Sequence, residues 1–133
     1  LLLKIVILQG LPAIGKSTYA RELVHGDPTY RRVNKDDIRA MLGMRWTPET
    51  EKLTIKIRDT IIMEILNSGF NVVVDDTNFG KHVGHIQAMV AGHQVEIKSL
   101  NTPIEVCVER DSKRDASVGE KVIRGMAERY GIK

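Results

Sequence analysis

The stretch 10-GLPAIGKST-18 comes directly after the apolar run 3-LKIVILQ-9, and the two together decide how this chain folds. The run mixes Ile, Val and Leu without strict alternation, the pattern of a strand covered on both faces within a parallel sheet. The glycine-rich stretch satisfies G-x-x-x-x-G-K-[ST] with Gly10, Gly15, Lys16 and Ser17, so strand, glycine turn and helix come in the order a phosphate cradle requires. Gly10 and Gly15 let the loop wrap with its amides pointing inward, and the next helix offers its positive N-terminal end. Lys16 supplies a point charge for the β and γ phosphates, and the Ser17 hydroxyl is a Mg²⁺ ligand. Ala13 and Thr18 complete the nucleotide-contacting set. The bland alternative is a glycine-rich turn with no ligand, and its position at a strand-to-helix junction weighs against that. A nucleoside triphosphate site is expected.

Further strands are predicted at 70-FNVVVD-75, 93-HQVEIKSLN-101 and, more briefly, 30-YRRVN-34. Helices are predicted over 16–25, 36–42, 49–68, 80–91, 103–112 and 119–130, several with capping signals such as Thr47-Pro48 and Thr102-Pro103. Alternating strands and helices imply an α/β layer sandwich with a mainly parallel central sheet and right-handed crossovers. The 133 residues suit a single domain, 1–133. Over 49–68, Leu53, Ile57, Ile61, Ile62, Ile65 and Leu66 form the expected core stripe, with Arg58 off it.

Twenty basic residues against 17 acidic ones are too even for a DNA-coating protein and compatible with a local basic groove. No apolar run approaches the roughly 20 residues that cross a bilayer, so no membrane association is expected. Leu1-Leu2-Leu3 is interrupted by Lys4 and reads as the start of the first strand rather than a leader; the absence of an initiator Met suggests a trimmed chain. Cys107, the single cysteine, is expected to be a buried thiol, and the reducing cytoplasm the expected location.

The segment 33-VNKDDIRAML-42 admits three readings. Asn34-Lys35-Asp36-Asp37 matches the guanine-reading Asn-Lys-x-Asp, but that motif belongs after a late strand, and no Asp-x-x-Gly switch occurs after the third strand here. Asn34 fits a helix cap, with Asp36 and Asp37 opposing the positive helix end. Adjacent acids point about 100° apart on a helix, so one is free to face the crevice beyond the strand ends and take the proton of an attacking hydroxyl. At 75-DDTN-78, Asp75 or Asp76 is placed to hold Mg²⁺ or orient Ser17, with an Asx turn as the alternative. In 110-RDSKRDASVGEK-121, Arg110 and Arg114 lie one helical turn apart, in a predicted mobile lid that closes on the triphosphate; a solvated basic face is the alternative.

In order along the chain, Gly15-Lys16-Ser17-Thr18, Asn34-Lys35-Asp36-Asp37-Ile38-Arg39, Asp76-Thr77-Asn78 and Arg110 with Arg114 resemble the 5′-polynucleotide kinases typified by the kinase domain of the T-even bacteriophage end-healing enzyme. The similarity covers nearly the whole chain. It implies a P-loop kinase three-layer sandwich with a helical lid at about 110–121. It also implies Mg²⁺-dependent transfer of the ATP γ-phosphate to 5′-hydroxyl RNA or DNA ends. The roles it carries over are Asp36 as general base, Arg39 as binder of the acceptor's 3′-side phosphate, Asp76 as partner of Mg²⁺ or Ser17, and Arg114 as lid contact to ATP. Asp76 and Asn78 join Asp36 and Arg39 on the acceptor side; Lys16 joins Asp36 and Arg114 in catalysis. Lys35 stands where the family often has Arg, and Asp115 comes next after Arg114 and is positioned in sequence to pair with it. No Asp-x-Asp-Gly-Thr motif occurs, so no 3′-phosphatase activity is expected of this chain. A small-molecule hydroxyl kinase of the same fold is the competing expectation. Trp46 and Tyr30 are candidates for base stacking or for core, and His82 with His85 reads as a surface pair rather than a metal site.

Overall fold

The structure is a computed structural model that describes residues 2–115 and 117–132. Four strands, β1 (Lys4–Gln9), β2 (Tyr30–Val33), β3 (Asn71–Val74) and β4 (Gln94–Ser99), form one parallel sheet in the order β2-β3-β1-β4. The central pair is in register Ile5 with Val72, Val6 with Val73 and Ile7 with Val74. Six helices complete the chain: α1 (Lys16–Gly26), α2 (Lys35–Leu42), α3 (Pro48–Asn67), α4 (Lys81–Met89), α5 (Ile104–Ser112) and α6 (Glu120–Arg129).

The pleat sorts the central strands into two cores. Ile5, Ile7, Val72 and Val74 pack with Ile38 of α2, Ile62 and Leu66 of α3, and Ile86 of α4. Val6, Leu8 and Val73 point the other way, onto Ala20 of α1 with Tyr19, Leu23 and Val24 around it. Residues of β1 and β3 are therefore apolar on both faces, because helices cover both. A third cluster joins Leu11 and Ile14 of the glycine loop to Phe79, to Cys107 of α5 and to Ile123 and Ala127 of α6. Cys107 is buried as expected, and burial raises its thiol pKa. Tyr30 belongs to the α1-side core and is no stacking surface.

Local chemistry sets the helix ends. Asn34 caps α2, its side chain accepting from the Asp37 amide at 2.8 Å, and Gly43 closes it in the left-handed region with φ 70. Thr47 and Thr50 form a reciprocal capping box at the start of α3, with Pro48 in the first turn.

On α3 the buried face is not the predicted one. Thr54, Arg58, Ile62 and Leu66 are the buried residues at four-residue spacing. Leu53, expected in the core, is 46% exposed, and Arg58, expected off it, is fully buried. The apolar stripe is broad enough to allow either rotation, and an acid across the layer, Asp76, draws in the guanidinium.

Because the sheet is parallel and β3 lies between β2 and β1, the carboxyl ends of those strands lie side by side. The segments after them carry the glycine loop, Asn34 to Arg39, and Asp75 to Asn78, so topology brings these separate clusters to one crevice.

Candidate active site

An open cleft of about 1150 Å³ lies at these strand ends. One side is the loop itself, with Ala13, Gly15, Lys16, Ser17 and Thr18 lining the cleft. Ala13 holds φ 63 and Gly15 φ 112, so two left-handed residues turn the chain back on itself before α1. Gly10 does not line the cleft. A Cβ there would meet Ile14 Cγ2 at 2.7 Å, so this glycine serves the close packing of the loop on its own side chain.

Lys16 is tucked into the loop, donating from Nζ to the carbonyls of Gly10 at 2.7 Å and Leu11 at 2.8 Å. Burial lowers its pKa to about 8, against the opposing pull of Asp75, Asp76 and Asp36. A charged lysine is thus held partly desolvated where phosphate charge would restore it.

Helix α2 forms the second wall. Asp36 and Arg39 share a face as their spacing predicts, with Arg39 Nη2 at 2.5 Å from Asp36 Oδ1. Glu51, in the first turn of α3, was not singled out from sequence. It receives Lys35 Nζ and Arg39 Nη1, each at 2.7 Å, and so fixes both basic side chains of α2 from outside the helix. The Asp36 carboxylate stays mostly exposed, at 76% of its side chain, open to the cleft. Asp37 faces elsewhere and pairs with Arg32, which also donates to Asp75 Oδ2 at 2.7 Å.

The two acids after β3 differ sharply. Asp76 is committed on both oxygens: Oδ1 accepts from the Lys35 amide at 2.9 Å and Oδ2 faces Arg58 Nη1 at 3.4 Å. Burial raises its pKa, and Lys35 and Arg58 counter that shift. Asp75 is equally buried, yet its Oδ1 has no hydrogen-bond partner among the described residues. Both acids line the cleft. Asn78, expected to contact the acceptor, does not line it. Its amide donates to the carbonyls of Leu8 at 2.7 Å and Asp76 at 3.2 Å, and with φ 52 it pins the ends of β1 and β3 together.

Arg110 and Arg114 both line the cleft as well. Ala116, within the predicted lid at 110–121, lies outside the described residues. The partner of Arg114 is Asp111, Nε to Oδ1 at 2.9 Å, and not the adjacent Asp115. Asp111 also receives the Ser117 hydroxyl at 2.7 Å and the amides of Val118 at 3.1 Å and Gly119 at 2.9 Å. Burial pushes its pKa up, but these donors outweigh it and hold the acid at about 2. One buried carboxylate therefore sets the shape of the loop between α5 and α6 and aims Arg114. An acid three residues before an arginine was the signal available in sequence.

His85 pairs with Asp59 at 2.6 Å, and no group of three or more metal-ligating His, Cys, Asp or Glu occurs among the described residues. No helix of the described residues is long and apolar enough to cross a membrane.

Residues 5–131 match the family described as AAA domain. The chain is 26% identical over 134 residues to the L-seryl-tRNA(Sec) kinase of Methanococcus maripaludis, covering 95% of this chain and 52% of that protein. It is 28% identical over 131 residues to the putative bifunctional polynucleotide kinase/RNA ligase of Autographa californica nuclear polyhedrosis virus, covering 84% of this chain and 18% of that protein. Two structures of the Pnkp1/Rnl/Hen1 complex, one described as an RNA repair complex, superpose with TM-scores of 0.75 and 0.85. Their identities are 28% and 24%, over 82% and 98% of this chain and 39% and 44% of theirs. The chain thus spans about half the length, or less, of these four relatives.

Proposed function

The chain belongs to the AAA domain family and is a P-loop kinase within it, and for it we propose transfer of the ATP γ-phosphoryl group to the 5′-hydroxyl end of an RNA or DNA strand. The observation that carries this reading is the Asp36–Arg39 pair, gripped by Glu51, on the wall facing the phosphate loop. It sets a proton acceptor one helical turn from a phosphate-binding guanidinium, which suits a hydroxyl with a phosphodiester beside it. Seven cationic side chains line the cleft against four acidic ones, consistent with a donor triphosphate and a polyanionic acceptor together.

In this mechanism the loop amides and Lys16 hold the β and γ phosphates, and Arg110 and Arg114 close on them from the α5–α6 side. Asp36 accepts the proton of the 5′-hydroxyl as its oxygen bonds to the γ phosphorus. The bond from that phosphorus to the bridging oxygen of ADP breaks in line, and ADP leaves. Lys16 and Arg114 stabilise the charge on the phosphoryl oxygens.

The residues fit a magnesium ion. Asp75 Oδ1 is a buried carboxylate oxygen without a partner among the described residues, and Ser17 lines the same cleft. Hard oxygen donors of this sort, completed by phosphates and water, are what Mg²⁺ takes, and it would neutralise phosphate charge there. Asp75 is preferred over Asp76 as its carboxylate, because both oxygens of Asp76 are already engaged.

A second reading rests on the likeness to the seryl-tRNA kinase over 95% of this chain: a small hydroxyl, or one carried on tRNA, as acceptor. Incubation with γ-labelled ATP and a 5′-hydroxyl oligonucleotide, free serine or seryl-tRNA in parallel separates the two. Label on the oligonucleotide end is expected; label only on the serine hydroxyl would replace the polynucleotide reading.

A further inference from the structure

From the structure we infer that Trp46 is a stacking platform for a nucleobase at the 5′ end of the acceptor strand, an inference that rests on the polynucleotide reading above. The single tryptophan of the chain is not core: it is 62% exposed, and it lines the cleft. An indole in that position has a large apolar face turned to water with no protein ring stacked on it among the described residues. Stacking on a base would cover that face, and it asks for no particular base because every base has one.

The backbone around it is held on both sides, which distinguishes a platform from a loose loop tip. Before it, α2 ends in the left-handed Gly43, with the Met44 amide donating to the Arg39 carbonyl at 2.9 Å. After it, the Thr50 hydroxyl donates to the carbonyl of Arg45 at 2.6 Å, and the Thr47 amide donates back to that hydroxyl at 2.8 Å. The loop therefore runs from the helix that carries Asp36 and Arg39 to the turn that carries Glu51, the residue gripping Arg39. Trp46 lines the cleft from the segment that joins Asp36 and Arg39 to Glu51. Asp36 at the hydroxyl, Arg39 at the neighbouring phosphodiester and Trp46 on a base would together read one nucleotide end by its sugar, phosphate and base.

The lone tryptophan supplies its own signal. A short 5′-hydroxyl oligonucleotide should quench its fluorescence, and ATP alone should not; quenching by ATP, or by neither, overturns the assignment. In steady-state kinetics with the wild type, an abasic site at one of the first two acceptor positions should raise KM, and the same lesion farther along should not. Trp46→Ala should raise the oligonucleotide KM about 5- to 150-fold, corresponding to stacking of about 1–3 kcal/mol, leave KM for ATP unchanged and no longer distinguish intact from abasic ends. Trp46→Phe should recover most of the loss. Normal phosphorylation with no effect of the abasic lesion or of Trp46→Ala would remove the platform and leave the polynucleotide reading standing. Absence of any label on 5′-hydroxyl strands with the wild type would remove both.

Discussion

Replacing Arg58 by methionine withdraws a cation from a place water does not reach. Its side chain is fully buried, with Nη2 3.1 Å from Asp59 Oδ1 and Nη1 3.4 Å from Asp76 Oδ2. Methionine fills a similar volume, so the principal loss is charge compensation rather than packing. Removing one partner of a buried ion pair costs about 3–5 kcal/mol. The contact to Asp76 is long for a hydrogen bond, and Asp59 keeps His85 at 2.6 Å, so the lower end, about 3 kcal/mol, is expected. A domain with about 5–15 kcal/mol of total stability would show this as a large fall in the urea midpoint by circular dichroism, with an unchanged slope. Asp76→Asn in the same background should recover part of the loss, with a coupling of about 1–3 kcal/mol between the two sites. The sign of the pH effect is set by burial, which already raises the pKa of Asp76 above its ordinary 3.8. A raised carboxyl is tolerated at low pH and penalises the fold as pH rises through its folded pKa, and Arg58 offsets that penalty. The deficit of Arg58→Met should therefore shrink as pH falls. A cost below about 1 kcal/mol, or strict additivity with Asp76→Asn, would show that the pair is a packing coincidence.

Asp36→Asn should lower turnover about 10²- to 10⁴-fold while leaving ATP affinity nearly intact; turnover close to that of the wild type would remove Asp36 as the base. Lys16, at about pKa 8 in the empty loop against an ordinary 10.5, should take up a proton on binding ATP at about pH 9, seen calorimetrically in buffers of different ionisation enthalpy. The same shift should make the empty protein gain stability as pH climbs from about 8 toward 10.5, because the unfolded chain then binds more protons. Asp111→Asn should loosen the loop between α5 and α6: losing one charge-assisted hydrogen bond is worth about 1.5 kcal/mol, or about tenfold in the KM for ATP through Arg114. Equal proteolysis of that loop in variant and wild type would count against this role. Asp111 itself contributes stability above its ordinary 3.8 that is lost as pH falls through about 2.

Most of the framework was legible in the residues. The predicted strands and helices fall within two residues of those observed at every boundary, because caps such as Asn34 and Thr47 and the left-handed Gly43 act over one turn of chain. The glycine loop declared itself for the same reason, and the i to i+3 spacing of Asp36 and Arg39 already placed both on one face.

What sequence could not decide were the contacts between elements far apart in the chain. Periodicity along α3 permitted a stripe through Leu53 and Ile57 or one through Thr54 and Arg58, and only docking against the sheet chose the second. Asp75 and Asp76 are chemically the same two letters. Arg32 on β2 and Arg58 on α3 make them different, leaving one with a buried oxygen that has no partner among the described residues and the other with both oxygens engaged. Glu51, Asp111 and Trp46 carry no motif, and each became part of the site by where a loop or helix end is set down. The sequence by itself determined the phosphate loop and the shared face of Asp36 and Arg39, since both depend on groups within a turn or two of each other. The tertiary structure decided how each carboxylate is paired, what holds Arg39 and Arg114, and which aromatic lines the cleft, because burial and charge pairing belong to surfaces that exist only once the layers have packed.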